Sequence, residues 1–206
     1  MLSIVKTTAV ALVLTTLPIT VALSWDNILE GDLEFHVREF AKIPNQQNGV
    51  PPALNNMTYA DGRLFVVDSL GGKIYDITNG ETSLWFDVAT ALDGILLQSD
   101  ESNHGVRAVA FHPDFSENGK FYTAQMEVRP EDSQNHIYLS DPVNPVDEDS
   151  VVREWTQMRD GSISPSREVI RIGVPGPHDI KQIIFNQHAA PDSCLLYTSP
   201  SPRDRG

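Results

Sequence analysis

GRLFVVDSLGGKIYDITNGETSLWFDV, running from Gly62 to Val88, decides the fold class. Leu64-Phe65-Val66-Val67 is a β-branched and aromatic run that follows the turn pair Asp61-Gly62. Gly71-Gly72 separates it from a second run, Lys73-Ile74-Tyr75-Asp76-Ile77, so the two read as a hairpin. The turn Thr78-Asn79-Gly80 then leads into a third run, Ser83 to Val88. Three short antiparallel strands at such spacing form a meander, the unit of a propeller blade.

A similar phrase returns downstream. Val106 to Phe111 is followed by the turn His112-Pro113-Asp114 and by Gly119 to Gln125, so Leu54–Val67 and Val106–Ala124 share one pattern: strand, acidic turn, then a Gly-basic-aromatic strand. Phe65 and Phe121 lie 56 residues apart, somewhat beyond the ~40–50 of compact propeller repeats, so inserted loops are expected. A third start reads at Asp179 to Asn186; Phe185 follows Phe111 by 74 residues, and the insertion shows as the acidic, Pro-rich stretches Arg129–Ser133 and Asp141–Asp149. Both read as exposed loops. The second lacks the Asp-x-Asp-x-Asp-Gly regularity of a calcium loop. Strands resume at Ser150–Trp155 and Arg167–Ile172, the latter alternating charged and apolar residues like a strand with one wet face. The expectation is an all-β chain with roughly three blade starts, an incomplete ring by comparison with the 4–8 blades that close one.

The chain has 206 residues, of which 40% are hydrophobic and 21% charged, the usage of a soluble globular protein. A net charge of -13 repels phosphate backbones and anionic lipid, which argues against nucleic acid as a partner. The single Cys excludes an internal disulfide framework and any Cys-based zinc cluster. Residues 1–24 read as a secretory signal: Lys6 is the only charge, an apolar stretch runs from Ala9 to Leu23, and Ala22-Leu23-Ser24 offers small residues at a cleavage site. No membrane span is expected after cleavage, and the location read from this is secreted or periplasmic. Asn56-Met57-Thr58 is a glycosylation sequon compatible with a secretory route. At the other end the pattern breaks at Cys194. CLLYTSPSPRDRG resembles the translation of a transposase-type sequencing adapter, so 194–206 is expected to be non-native and without packed secondary structure. Residues 25–193 are then the partial propeller, an N-terminal fragment of a longer protein.

Three phrases carry a family resemblance: NNMTYADGRLFVVDSLGGKIY (Asn55–Tyr75), HGVRAVAFHPDFSENGKFYTAQ (His104–Gln125) and SREVIRIGVPGPHDIKQIIFN (Ser166–Asn186). Together they resemble the glucose/sorbosone dehydrogenase family, soluble quinoproteins with a six-bladed propeller, related to Hedgehog-interacting-protein-like sequences. The resemblance implies pyrroloquinoline quinone (PQQ) and calcium as cofactors, a sugar or sugar-like alcohol as substrate and an external electron acceptor. In that family a His after the REV-x-R-I strand is the general base over the quinone, which implies that role for His178. An imidazole suits it, because oxidation of a sugar hydroxyl needs a proton taken from oxygen near neutral pH. Asn103 stands where a Gln contacts the quinone, and Asp179 follows the base, so both are implied near the cofactor; Arg107 replaces a common apolar residue. The family's basic residues for the quinone carboxylates, and most of its calcium ligands, would lie beyond Ser193, so the fragment alone is expected to be inactive.

His112 reads as structural, in a turn after a buried strand. The sequence holds no Gly-rich phosphate loop, no HExxH and no GxSxG. Two readings follow: an exported PQQ-dependent sugar dehydrogenase, or a secreted propeller that serves as a non-catalytic binding module.

Overall fold

The computed structural model describes residues 28–30, 33–46, 49–96, 105–129, 148–173, 179–185 and 196–199. Residues 1–24, read as a secretory signal, and Asn103 and His178 lie outside the described residues. The chain divides into two units, Met1–Glu39 and Phe40–Gly206. In the first, β1 (Ile28–Glu30) pairs antiparallel with β2 (Leu33–Phe35).

The second unit holds the meanders. β3 (Leu54–Ala60), β4 (Arg63–Asp68), β5 (Lys73–Asp76) and β6 (Ser83–Asp87) form one antiparallel sheet in chain order. Its first hairpin is made by Asp61 and Gly62, whose φ angles of 47° and 75° are those a two-residue type I′ turn needs to match strand twist. β7 (Val106–Phe111), β8 (Lys120–Val128), β9 (Glu148–Thr156) and β10 (Arg167–Gly173) form a second sheet, again in chain order. The β8–β9 ladder is longer than the sequence suggests. It runs unbroken from Lys120 opposite Thr156 to Val128 opposite Glu148, because the acidic residues at its end find arginine partners instead of turning to water.

β11 (Gln182–Phe185) begins a third blade. It pairs antiparallel with β12 (Leu196–Ser199), Ile183 opposite Thr198. The expectation of no secondary structure in 194–206 is thereby corrected. A sheet edge offers a row of backbone donors and acceptors to any extended segment within reach, whatever its sequence.

Each blade buries both faces. From the first, Phe65, Val67, Ile74 and Phe86 pack against Val109, Phe121 and Trp155 of the second. On the first blade's other face Val66, Tyr75 and Ile77 gather around Ile43. The second blade's other face places Ala108, Ala110, Tyr122 and Val152 against Ile180 and Ile183. Aromatic rings lock the first interface: Phe65 and Phe111 are 4.7 Å apart, and Trp155 meets Phe86 edge-on at 4.8 Å. Each such pair contributes about 0.5–1.5 kcal/mol beyond its buried area. In β10, read as a strand with one wet face, Arg167 to Val169 are exposed, while the Arg171 side chain is drawn in among carboxylates of the neighbouring strands.

The first strands stand side by side, β7 with β3 on one flank and β11 on the other, as the inner strands of successive blades do. Two consecutive asparagines bridge β3 to β7. Asn55 Nδ2 donates to the Arg107 carbonyl at 2.7 Å, and the Val109 amide donates to Asn56 Oδ1 at 3.3 Å. The sequon asparagine thus holds two blades together in the fold.

Candidate functional site

The chemistry collects where β7 and β11 begin. Gly105 lets the two blades meet there. Its φ is 86°, and a Cβ on it would lie 2.0 Å from the Ser69 carbonyl oxygen, which instead accepts the Val106 amide at 3.1 Å. That close approach sets Arg107 between three blades. Its Nη1 donates to Ser69 Oγ of the β4–β5 turn at 3.2 Å, and its Nε lies 2.6 Å from Asp179 Oδ2 at the start of the third blade.

Arg107 and Asp179 are both sealed from water, with side chains 9% and 1% exposed. Their N–H···O alignment falls short of a hydrogen bond, so the contact is chiefly one of charge, and among the described residues neither Asp179 carboxylate oxygen receives a hydrogen bond. Burial therefore wins over the nearby charges of Arg107 and Lys181 and pushes the Asp179 carboxyl above its ordinary range. Lys181 Nζ lies 3.9 Å from Asp179 Oδ1, and the next backbone amide, Ile180, donates to Ser150 Oγ at 2.9 Å. Of the three site residues read from the sequence, Asp179 is thus placed in this buried pair, while His178 and Asn103 lie outside the described residues.

A second polar cluster, which sequence reasoning missed, sits at the same end of the second blade, since Gln125 of β8 pairs with Val106 of β7. Glu127 is wholly buried and accepts from Arg153 Nε at 2.6 Å, Arg153 Nη2 at 2.7 Å, Arg171 Nη2 at 2.7 Å and Gln125 Nε2 at 2.8 Å. Asp149 accepts from Arg129 Nε at 2.8 Å and Arg171 Nη1 at 3.1 Å, and Arg171 also binds Glu168. Burial alone would push the Glu127 carboxyl up, but the hydrogen bonds from Arg153 and Gln125 and the two guanidinium charges hold it below the ordinary glutamate range. The signal in the sequence was period-2 spacing, Gln125 and Glu127 on one strand and Asp149, Val151 and Arg153 on the next, but only the register sets Glu127 opposite Asp149 and Gln125 opposite Val151, with Arg153 one step further along the same face.

His112 stands at the opposite end of β7. Its Nδ1 accepts from the Asp114 amide at 3.0 Å and lies 2.9 Å from Asn118 Nδ2, and its ring meets Phe185 at 5.4 Å. It lines a cavity of about 600 Å³ with Tyr59, Phe111, Phe115, Ile184 and Phe185. Four residues of strand separate Arg107 from Phe111, or ~13 Å at ~3.3 Å each, so this cavity is remote from the buried pair.

PQQ is a polyanion, and a residue set that fits it offers cations. Here the guanidiniums of Arg107, Arg129, Arg153 and Arg171 are committed to Asp179, Asp149, Glu127 and Glu168. Among the described residues no group of three His, Cys, Asp or Glu side chains could hold a metal, and Asp149, at the end of the acidic loop, binds arginines. The described residues by themselves thus do not form a cradle for the quinone or for calcium. Among them, no helix is long and apolar enough to cross a membrane.

Two four-stranded antiparallel meanders packed face to face, with inner strands in succession and the start of a third blade, define an all-β fold of the propeller type whose ring the described residues do not close. No protein-family model and no curated protein matches the chain. Among solved structures it is similar to the PQQ-bound aldose sugar dehydrogenase of Streptomyces coelicolor, with 14% identity over 80% of this chain and a TM-score of 0.53. The match covers 40% of that enzyme's chain, and at this identity the likeness is one of fold.

Proposed function

We propose that the whole protein is an exported oxidoreductase that oxidises a sugar or sugar-like alcohol with PQQ and passes the electrons to an external acceptor. The observation that carries this reading is the fold likeness to a PQQ-bound sugar dehydrogenase. PQQ would supply the hydride acceptor. Because the described residues do not form its cradle, only the proton step is assigned to this chain. His178 is read as taking the substrate's hydroxyl proton, and the neighbouring Asp179 is held by Arg107. The cofactor's basic contacts and calcium ligands come from residues outside the described set.

The test is dye-linked oxidation of aldoses and alditols by the native protein purified from its source and supplied with PQQ and calcium. Sugar-dependent turnover that falls ~10²–10⁴-fold in His178→Ala, the usual worth of a positioned general base, supports the assignment. The same change at His112 lowers thermal stability and leaves turnover per folded molecule nearly unaltered. Near-wild-type kcat in His178→Ala removes the base, and absence of turnover with every sugar favours the second reading, a secreted binding module. The pairing of all four guanidiniums near this end of the blades with carboxylates is what speaks for that alternative.

A further inference from the structure

We propose that a glycan on Asn56 and the docking of the first two blades exclude one another: the sequon Asn56-Met57-Thr58 is modified only before the chain folds, and its modification blocks that docking. Acceptor sequons ordinarily lie in surface loops, whereas this one lies inside β3.

The side of the strand that Asn56 occupies decides the matter. Met57 and Tyr59 share one side of β3 and are 63% and 71% exposed. Asn56, Thr58 and Ala60 alternate with them, and Ala60 packs against the aromatic core between the first two blades. The pairing register slips between Leu54 and Asn56, and this bulge lets two consecutive asparagines both reach β7. Asn56 Oδ1 accepts the Val109 amide at 3.3 Å, and Val109 is a buried residue of the inner strand, so the side chain supplies a partner that water does not.

Glycan transfer changes the shape of that side chain. Asn56 Nδ2 bonds to the anomeric carbon of an oligosaccharide, the bond from that carbon to a lipid-linked pyrophosphate breaks, and the pyrophosphate and one Nδ2 proton leave. The primary amide becomes a secondary one, which takes the trans form as a peptide bond does. Trans sets the sugar carbon across the C–N bond from Cβ, hence on the same side as Oδ1. Oδ1 is the atom turned toward β7, so the first sugar is driven at the Val109 backbone. Either the amide swings away and Val109 loses its acceptor, or the strands part to admit the sugar. Both break the same contact between blades.

The test translates the full chain, preceded by a leader of proven export, in the presence of eukaryotic microsomes, and sorts the imported chains by limited proteolysis after the vesicles are opened. Asn56 occupancy is read by mass spectrometry after glycosidase release in heavy-oxygen water. Occupancy is expected in the protease-sensitive fraction and at least ~10-fold lower in the resistant one. Thr58→Val, which removes the sequon and keeps the Asn56 bridge, raises the resistant share of imported chain. If Thr58→Val made without microsomes fails to fold, Asn56→Asp, which keeps an acceptor oxygen for Val109, takes its place. Equal occupancy in the two fractions overturns the proposal. So does occupancy in neither, because the sequon is then not read before folding, and so does a sequon-less variant no richer in resistant chain than wild type.

Discussion

Glu127→Gln gives the most direct test of how the second blade is held together. The native carboxylate is wholly buried and receives four hydrogen bonds, two from Arg153 and one each from Arg171 and Gln125. Gln keeps the shape but removes the charge and turns one acceptor into a donor facing guanidinium donors. Arg171 retains Asp149 and Glu168, whereas among the described residues Arg153 keeps only Ser166 at 3.2 Å and Glu168 at 3.8 Å, so the loss falls mainly on Arg153. Removing one partner of a buried pair costs about 3–5 kcal/mol. At roughly 2–4 °C per kcal/mol for a chain of this size, Tm falls by roughly 6–20 °C. The assay is urea unfolding at pH 7 with the m-value checked for constancy, repeated in steps toward acid. Glu127 is held below the ordinary glutamate range, so its stabilisation is fully present above the unfolded-state value and fades as pH drops through the lower folded value. The gap between wild type and variant is therefore constant near neutrality and closes in acid. Asp179, pushed up by burial, has the opposite sign: its cost is full above its folded value and is relieved as pH falls toward the unfolded one. The double variant Glu127→Met/Arg153→Met, which removes the pair together, costs less than Glu127→Gln alone. A Glu127→Gln loss under ~1 kcal/mol, or a double variant worse than the single, refutes the argument.

Trp155 donates from Nε1 to Thr123 Oγ1 at 2.8 Å in the centre of the aromatic cluster, so Trp155→Phe, which keeps the ring stacking but orphans that hydroxyl, costs about 1–3 kcal/mol by chemical denaturation, and Trp155→Ala about 3–5. Equal losses in the two variants would show that the hydrogen bond, not the packing, dominates. Gly105→Ala forces a Cβ onto the Ser69 carbonyl and a positive φ onto alanine, and it lowers the unfolding midpoint well beyond the usual ±0.5 kcal/mol of surface changes; a neutral result by calorimetry would mean that the blades are not in close contact there.

Local rules made the strands legible. Asp-Gly and Gly-Gly turns, runs of β-branched and aromatic residues and the repeated Gly-basic-aromatic phrase placed β3 through β11 within a few residues of where they lie, because each signal acts between neighbours in the chain. The repeat also implied blades. Legible too was Asp179 as a residue of interest, and the fold adds that its carboxylate lies against Arg107. What no local pattern carries is the pairing of charges across sheets. Arg107 and Asp179 are 72 positions apart in the sequence, and Glu127 and Arg171 44 apart. Each reads alone as a solvated surface charge, the commonest fate of such residues. Only the stacking of blades withdraws them from water, and once water is gone a charge must find its opposite. The choice of partner was therefore made by tertiary packing, while the sequence by itself determined the strands that bring the partners there.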